Sequence, residues 1–185
     1  MSAVLNQPKL LTAEDYLRLP GNLGRTELRR GVVVRMPPPG FRHGEVGVNV
    51  SFYVSAFVRE HLLGRVLSND SGIITQRDPD TVRGADVSYY SYQRVPKGQS
   101  PIGYAGASPE IVFEVVSPTN TRGEIAIRIG EYLNANVNVV CVVDPEYQTV
   151  NLHTAALPVE KLVGDQPLTF ADLPGFSLPV RKLLE

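Results

Sequence analysis

Apolar residues along this chain switch between a period of about 3.6 and a period of 2, and the switches mark out the elements. Val46, Val50, Tyr53/Val54, Phe57/Val58 and Leu62 recur at helical spacing, predicting the longest helix from about His43 to Leu63, with Gly64 as the glycine that ends it. A shorter helix is predicted from Thr12, with Thr12 as N-cap, Glu14 and Asp15 in the first turn, and Pro20-Gly21 as the stop. Thr26 to Met36 reads as two short strands turning near Gly31, with Val32, Val33 and Val34 as core. Val66-Leu67 and Ile73-Ile74 suggest two further strands, and Val82 to Tyr90 another. Pro96 to Pro109 lacks periodicity and predicts a long loop, a length often tied to function. Ile111 to Val116 is an almost wholly apolar, β-branched run, as expected of a strand buried on both faces. Arg122 to Leu133 is amphipathic, with Ile125, Ile129, Tyr132 and Leu133 on one face. Asn138 to Val143 predicts a second buried strand, Asp144 to Tyr147 a turn, and Gln148 to His153 its hairpin partner. The order of elements predicts one α/β domain over residues 1–185, built on a sheet of mixed direction.

Composition narrows the class. Hydrophobic residues make up 43% of the 185 residues and charged residues 20%, as in an ordinary globular domain. No apolar run approaches the roughly 20 residues of a membrane span. Met1 to Leu10 has no apolar core of signal-peptide type, so export is not expected. The single Cys141 lies in an apolar run, which predicts a buried inert thiol, excludes an intrachain disulfide and makes the cytoplasm the expected setting. A net charge of −1 excludes grip on nucleic acid by bulk electrostatics. Arg25, Arg29, Arg30, Arg35 and Arg42 cluster locally, as a phosphate track or as a solvated hairpin face.

Candidate chemistry starts at Glu114, a carboxylate inside the apolar run from Ile111 to Val116. Left unpaired it would cost several kcal/mol, so a cation, a proton or a metal must meet it. The run itself holds no Lys or Arg, and a metal site and a structural ion pair remain equal readings at this point. Asp86 opens the strand from Val82 to Tyr90 and reads by itself as a turn or cap residue. Together, two carboxylates from neighbouring strands repel unless a cation binds. Mg²⁺ takes hard oxygen ligands and keeps several waters, so two such acids and a carbonyl suffice. His61 and His153 lack ligand spacing and read as surface or capping residues. Ser117 has no histidine beside it and reads as a strand-to-helix break.

Leu11 to Leu17, Glu27 to Gly31, Arg42-His43-Gly44, Asp86, Phe113 to Pro118, Tyr132, Asn136-Val137 and Val142 to Pro145 follow one another in an order that resembles the Uma-type restriction endonucleases of the PD-(D/E)XK superfamily. The resemblance covers about residues 11–180 and implies a restriction endonuclease-like fold, a central mixed β-sheet flanked by helices. It implies an endonuclease that hydrolyses phosphodiester bonds in nucleic acid, DNA first, with Mg²⁺ or Mn²⁺. Asp86, Glu114 and the Val115 carbonyl would hold the metal. Glu27 would sit at the edge of the site as an accessory acid. His43 would face the cleft as phosphate contact or proton donor, and Arg42 and Arg122 are the candidate substrate contacts. A homodimer is expected because cutting two strands needs two sites.

Two departures from the family pattern stand out, one at the lysine and one at the proline. Val116 stands where the superfamily carries a lysine two residues after the acid, and it can neither activate water nor steady a phosphate. The matching lysine position on the following helix is Arg128, which keeps the charge but cannot act as a base. Ala85 stands where a proline precedes the first acid. These departures support a rival reading, a catalytically impaired nuclease fold used for binding or assembly.

Overall fold

A computed structural model describes residues 10–185; the Met1 to Leu10 segment read for a leader lies, but for Leu10, outside them. Helix α1 spans Ala13–Leu17 and opens on a capping box, with Thr12 and Asp15 each accepting the other's backbone N–H. Strands β1 (Thr26–Arg29) and β2 (Val32–Arg35) form a hairpin through Arg30-Gly31. Both linking residues have positive φ, 49° and 79°, as a two-residue turn between twisted strands requires. The sheet ends at β2, so Val32 is 53% exposed rather than core.

Pro37 to Pro39 breaks the chain before α2 (Phe41–Glu60). Val46, Val50, Val54 and Val58 form its fully buried stripe. Leu62, with φ 53°, takes the left-handed position that closes this helix. The Leu63 N–H donates to the Val58 carbonyl at 3.0 Å and the Leu62 N–H to Arg59 at 3.3 Å, which is a Schellman pattern. Gly64, expected to end the helix, instead begins a strand. A Cβ there would meet the Tyr90 carbonyl at 2.1 Å, so glycine is required by close backbone approach.

Strand β3 (Gly64–Gln76) is one element where two were expected. Its polar middle carries a bulge at Asn69 and Asp70, both left-handed, between the pairs Ser68↔Val87 and Ser71↔Ala85. It runs antiparallel along the whole of β4 (Thr81–Ser91). Pro96 to Pro109 is a loop without helix or strand, as expected. Strand β5 (Ile111–Val115) leads into α3 (Arg122–Asn134) and returns as β6 (Val139–Asp144), parallel to β5. Strands β7 (Thr149–His153) and β8 (Glu160–Val163) extend the sheet. The chain ends in the hairpin of β9 (Pro167–Phe170) and β10 (Leu173–Pro179) and a short α4 (Arg181–Leu184).

The main sheet has the order β2-β1-β4-β5-β6-β7-β8, with β3 on the other edge of β4. Only β5–β6 is parallel, so the sheet is mixed but mostly antiparallel. Ile111, Phe113 and Val115 face α2 and the C-terminal hairpin, while Val112 joins Val140, Val142 and Tyr132 under α3. Helices therefore cover both faces of the central strands. No helix among the described residues is long and apolar enough to cross a membrane.

Candidate active site

The site lies where β4 changes partners. One edge of β4 is taken by β3 throughout; the other is shared by β1, paired at Val82, and β5, paired at Val87 to Tyr89. Between these pairings, Arg83 to Asp86 have no strand neighbour on that edge. Backbone groups so exposed inside a protein need other partners. Side chains supply them: Glu27 Oε1 accepts the Gly84 N–H at 3.3 Å, and Arg128 Nη2 donates to the Gly84 carbonyl at 2.8 Å.

Asp86 and Glu114 stand where the β4–β5 register would place its next pair. The strands part there, and the Asp86 carboxylate fills the gap, with Oδ2 accepting the Val115 N–H at 2.7 Å. The same oxygen faces His43 Nε2 at 3.2 Å, and Arg25 approaches Oδ1 at 3.8 Å while pairing with Asp70. That contact to Asp86 raises the His43 pKa against the opposing effect of burial, which favours the imidazolium. Glu114 points to the α3 side. Arg128 grips it with Nε on Oε2 and Nη2 on Oε1, both at 3.1 Å, and the Tyr132 hydroxyl donates to Oε1 at 2.7 Å. Burial dominates this group and pushes its pKa up to about 7, with Asp86 adding to the rise and Arg128 and Tyr132 opposing it.

Asp86, Glu114, Val115, His43, Arg25 and Arg128 line one cavity of about 150 Å³. That is room for about five waters at ~30 Å³ each, but not for a nucleotide. A larger open groove of about 750 Å³ along α2 shares Arg25, Pro39, His43 and Asp86 with it and offers the space for a chain.

Glu27, expected in the cleft, does not line it. It lies behind Arg128, 4% exposed, bound by Arg128 Nη1 at 2.7 Å, Arg83 Nη1 at 2.7 Å and Arg29 Nη2 at 3.0 Å. Burial alone would raise its pKa; Arg128 and Arg83 outweigh it and lower it to about 2. An acid with a depressed folded pKa contributes stability that is fully present above its unfolded pKa, near 4.5, and lost as pH falls through about 2. The shift corresponds to roughly 3 kcal/mol. Urea unfolding of the wild type should therefore weaken between pH 4.5 and 2 by about that amount more than that of Glu27→Gln. Equal pH slopes for the two proteins would contradict it.

Arg42 and Arg122 are not brought to the site. Arg42 pairs with Glu45 at 2.6 Å and donates to the Leu184 carbonyl; Arg122 is exposed at the start of α3 and lines neither the cavity nor the groove. Four residues that sequence reasoning did not assign to the site take part. Arg83, 4% exposed, bridges Glu27 and Glu131; Tyr132 holds Glu114; Arg25 and Asp70 flank Asp86. Among the described residues no three His, Cys, Asp or Glu side chains converge as a ready-made metal cage. Two carboxylates on one cavity are a fitting hard-oxygen donor set for Mg²⁺ or Mn²⁺, since such ions keep several waters.

The comparisons agree with this architecture. A family model described as "Uma2: Putative restriction endonuclease" matches residues 13–181. The fold is similar to that of "a putative nuclease belonging to DUF820 from Anabaena variabilis ATCC 29413", with a TM-score of 0.81 at 17% identity, over 94% of this chain and 97% of that one. No curated protein matches the chain.

Proposed function

The chain belongs to the Uma2 family of restriction endonuclease-like proteins, and from that premise we propose that it is a divalent-metal-dependent nuclease that hydrolyses phosphodiester bonds, DNA first, at the cavity between β4 and β5. One observation carries this reading: the parting of β4 from β5 brings Asp86 and Glu114 to a single cavity, which shares Arg25, Pro39, His43 and Asp86 with a larger open groove of about 750 Å³.

Asp86 and Glu114 would hold the ion, with the Val115 carbonyl as a further oxygen. A divalent ion bound there supplies Lewis-acid polarisation of a phosphoryl oxygen and acidifies water. The chain's own groups do the rest. His43, whose pKa the contact with Asp86 raises, faces both cavity and groove and would present a cation or a proton to a phosphate oxygen. Arg25, 27% exposed at the junction of the two spaces, adds a second positive group. Val116 leaves the strand without an ammonium, so charge stabilisation on the α3 side falls to Arg128. Arg42 and Arg122 are too remote for that role and could touch only distant parts of a long substrate.

Conversion of supercoiled plasmid to the nicked form should require Mg²⁺ or Mn²⁺ and stop with a chelator. A second reading, a nuclease fold retained for binding, is favoured by one feature: four of the five Arg128 N–H donors are already spent on the protein. DNA binding by the wild type without nicking under any divalent ion would decide for it.

A further inference from the structure

Glu27 is a buried acid with no access to the cavity and no lone pair to spare. Oε2 accepts from Arg83 Nη1 at 2.7 Å and from Arg29 Nε and Nη2 at 3.2 and 3.0 Å; Oε1 accepts from Arg128 Nη1 at 2.7 Å and the Gly84 N–H at 3.3 Å. A carboxylate offers about four lone-pair sites, and the donors around Glu27 already meet that number. Arg83 is itself fixed from behind by both oxygens of Glu131, with Nη2 on Oε1 at 2.9 Å.

The contacts of Arg128 are unequal. Those to Glu27 and to the Gly84 carbonyl are 2.7 and 2.8 Å; both to Glu114 are 3.1 Å. The guanidinium makes shorter single contacts at its buried side and a longer bidentate pair at its cavity side. A divalent ion seeking Glu114 meets a fork already on both carboxylate oxygens, and the two cations repel.

We propose that Glu27 is the positioning anchor of Arg128 rather than a metal ligand, and that Arg128 and a divalent ion compete for Glu114. When the ion takes Glu114, Arg128 stays tethered to Glu27 and Gly84, and its Nε and one Nη2 hydrogen turn to a phosphate, the geometry a planar fork suits. The ion would exchange a water for a Glu114 oxygen while Arg128 gives up its two hydrogen bonds to that carboxylate, and no covalent bond of the protein changes. This inference rests on the metal-site reading above.

Mn²⁺ alone, titrated calorimetrically into wild type, Glu27→Gln, Arg128→Lys, Glu114→Gln and Asp86→Asn, tests it, with a thermal melt of each protein. Arg128→Lys should bind Mn²⁺ about tenfold more tightly, because an ammonium cannot hold both Glu114 oxygens and the ion no longer displaces a charge-assisted fork. Glu27→Gln should bind at least as tightly as the wild type. Weaker binding by a folded Glu27→Gln would make Glu27 a ligand and overturn the anchor. Equal affinities for Arg128→Lys and wild type would overturn the competition. If Glu27→Gln does not fold, Glu27→Asp, which keeps the charge but draws the carboxylate back from Arg128, replaces it with the same expected and contrary results. Glu114→Gln and Asp86→Asn should lose Mn²⁺ binding. If either binds like the wild type, or the wild type binds none, the metal-site reading itself has failed and the inference falls with it.

Discussion

Arg83→Met is expected to lower stability by about 3 kcal/mol, the lower end of the cost of removing one partner from a buried ion pair. Arg83 and Glu27 are each 4% exposed and meet at 2.7 Å, while the other face of Arg83 forks onto Glu131. Methionine fills much of the same volume, so the loss is electrostatic rather than a cavity. Glu27 keeps Arg128 and Arg29, and Glu131 is 23% exposed and can turn to water, which is why the upper end is not reached. For a chain of this length the loss corresponds to a fall of roughly 6–12 °C in melting temperature. Arg83→Met/Glu131→Leu should recover part of it, because replacing both partners by apolar groups leaves less charge uncompensated. A single-variant loss below about 1 kcal/mol would mean that the network contributes no more than a surface pair.

How far the fold was legible depended on the range of the interactions that decide it. The valine stripe of α2 and the apolar run of β5 are local patterns, and both elements stand where the residues place them. The end of α2 departs from the local pattern: a glycine is the usual left-handed residue, yet Leu62 takes that conformation and Gly64 is needed two residues later for contact with Tyr90. The polar residues Ser68 to Ser71 suggest a break between two strands; long-range pairing with β4 carries one strand, β3, through its bulge. A β-branched run signals a strand but does not say whether that strand lies at the edge, where Val32 is exposed, or in the middle. The missing element in each case is a partner far away in sequence.

The site divides along the same line. Glu114 announces itself as a charge in an apolar strand, and Asp86 gains meaning only beside it. Their surroundings required the gap in β4, a consequence of β1 and β5 sharing one edge, which no local pattern encodes. Arg83 is the instructive omission. It sits three residues before Asp86 in a strand that also carries Thr81, Ser88 and Ser91, so its charge stood out less than that of Glu114, and its partner Glu27 lies 56 positions earlier. Tyr132 was placed on the apolar face of α3, correctly, but its hydroxyl on Glu114 belongs to the tertiary structure. Of the two readings of Glu114, the ion pair is present, with Arg128, and it occupies the oxygens a metal would need.

Asp86→Asn is expected to lower metal-dependent nicking by about 10³-fold, the upper range for loss of a single group that stabilises developing charge. Asparagine keeps an oxygen that can accept the Val115 N–H, so the join between β4 and β5 is preserved. What disappears is the negative charge that faces His43 at 3.2 Å and Arg25 at 3.8 Å. Arg25, 27% exposed, retains Asp70, and His43 can give up its proton once the acid is gone, so neither is left as an uncompensated buried charge and the fold should persist. Metal binding has no such substitute, because a neutral amide oxygen is a far weaker ligand for a hard ion. Nicking of supercoiled plasmid in Mn²⁺, alongside gel-shift binding of the same DNA, separates the two effects. Binding should persist, or strengthen as an acid is removed beside the groove, while cleavage is lost. A folded Asp86→Asn that nicks at the wild-type rate would remove the catalytic centre from this cavity. Loss of binding together with cleavage would place Asp86 in DNA recognition and favour the binding-module reading.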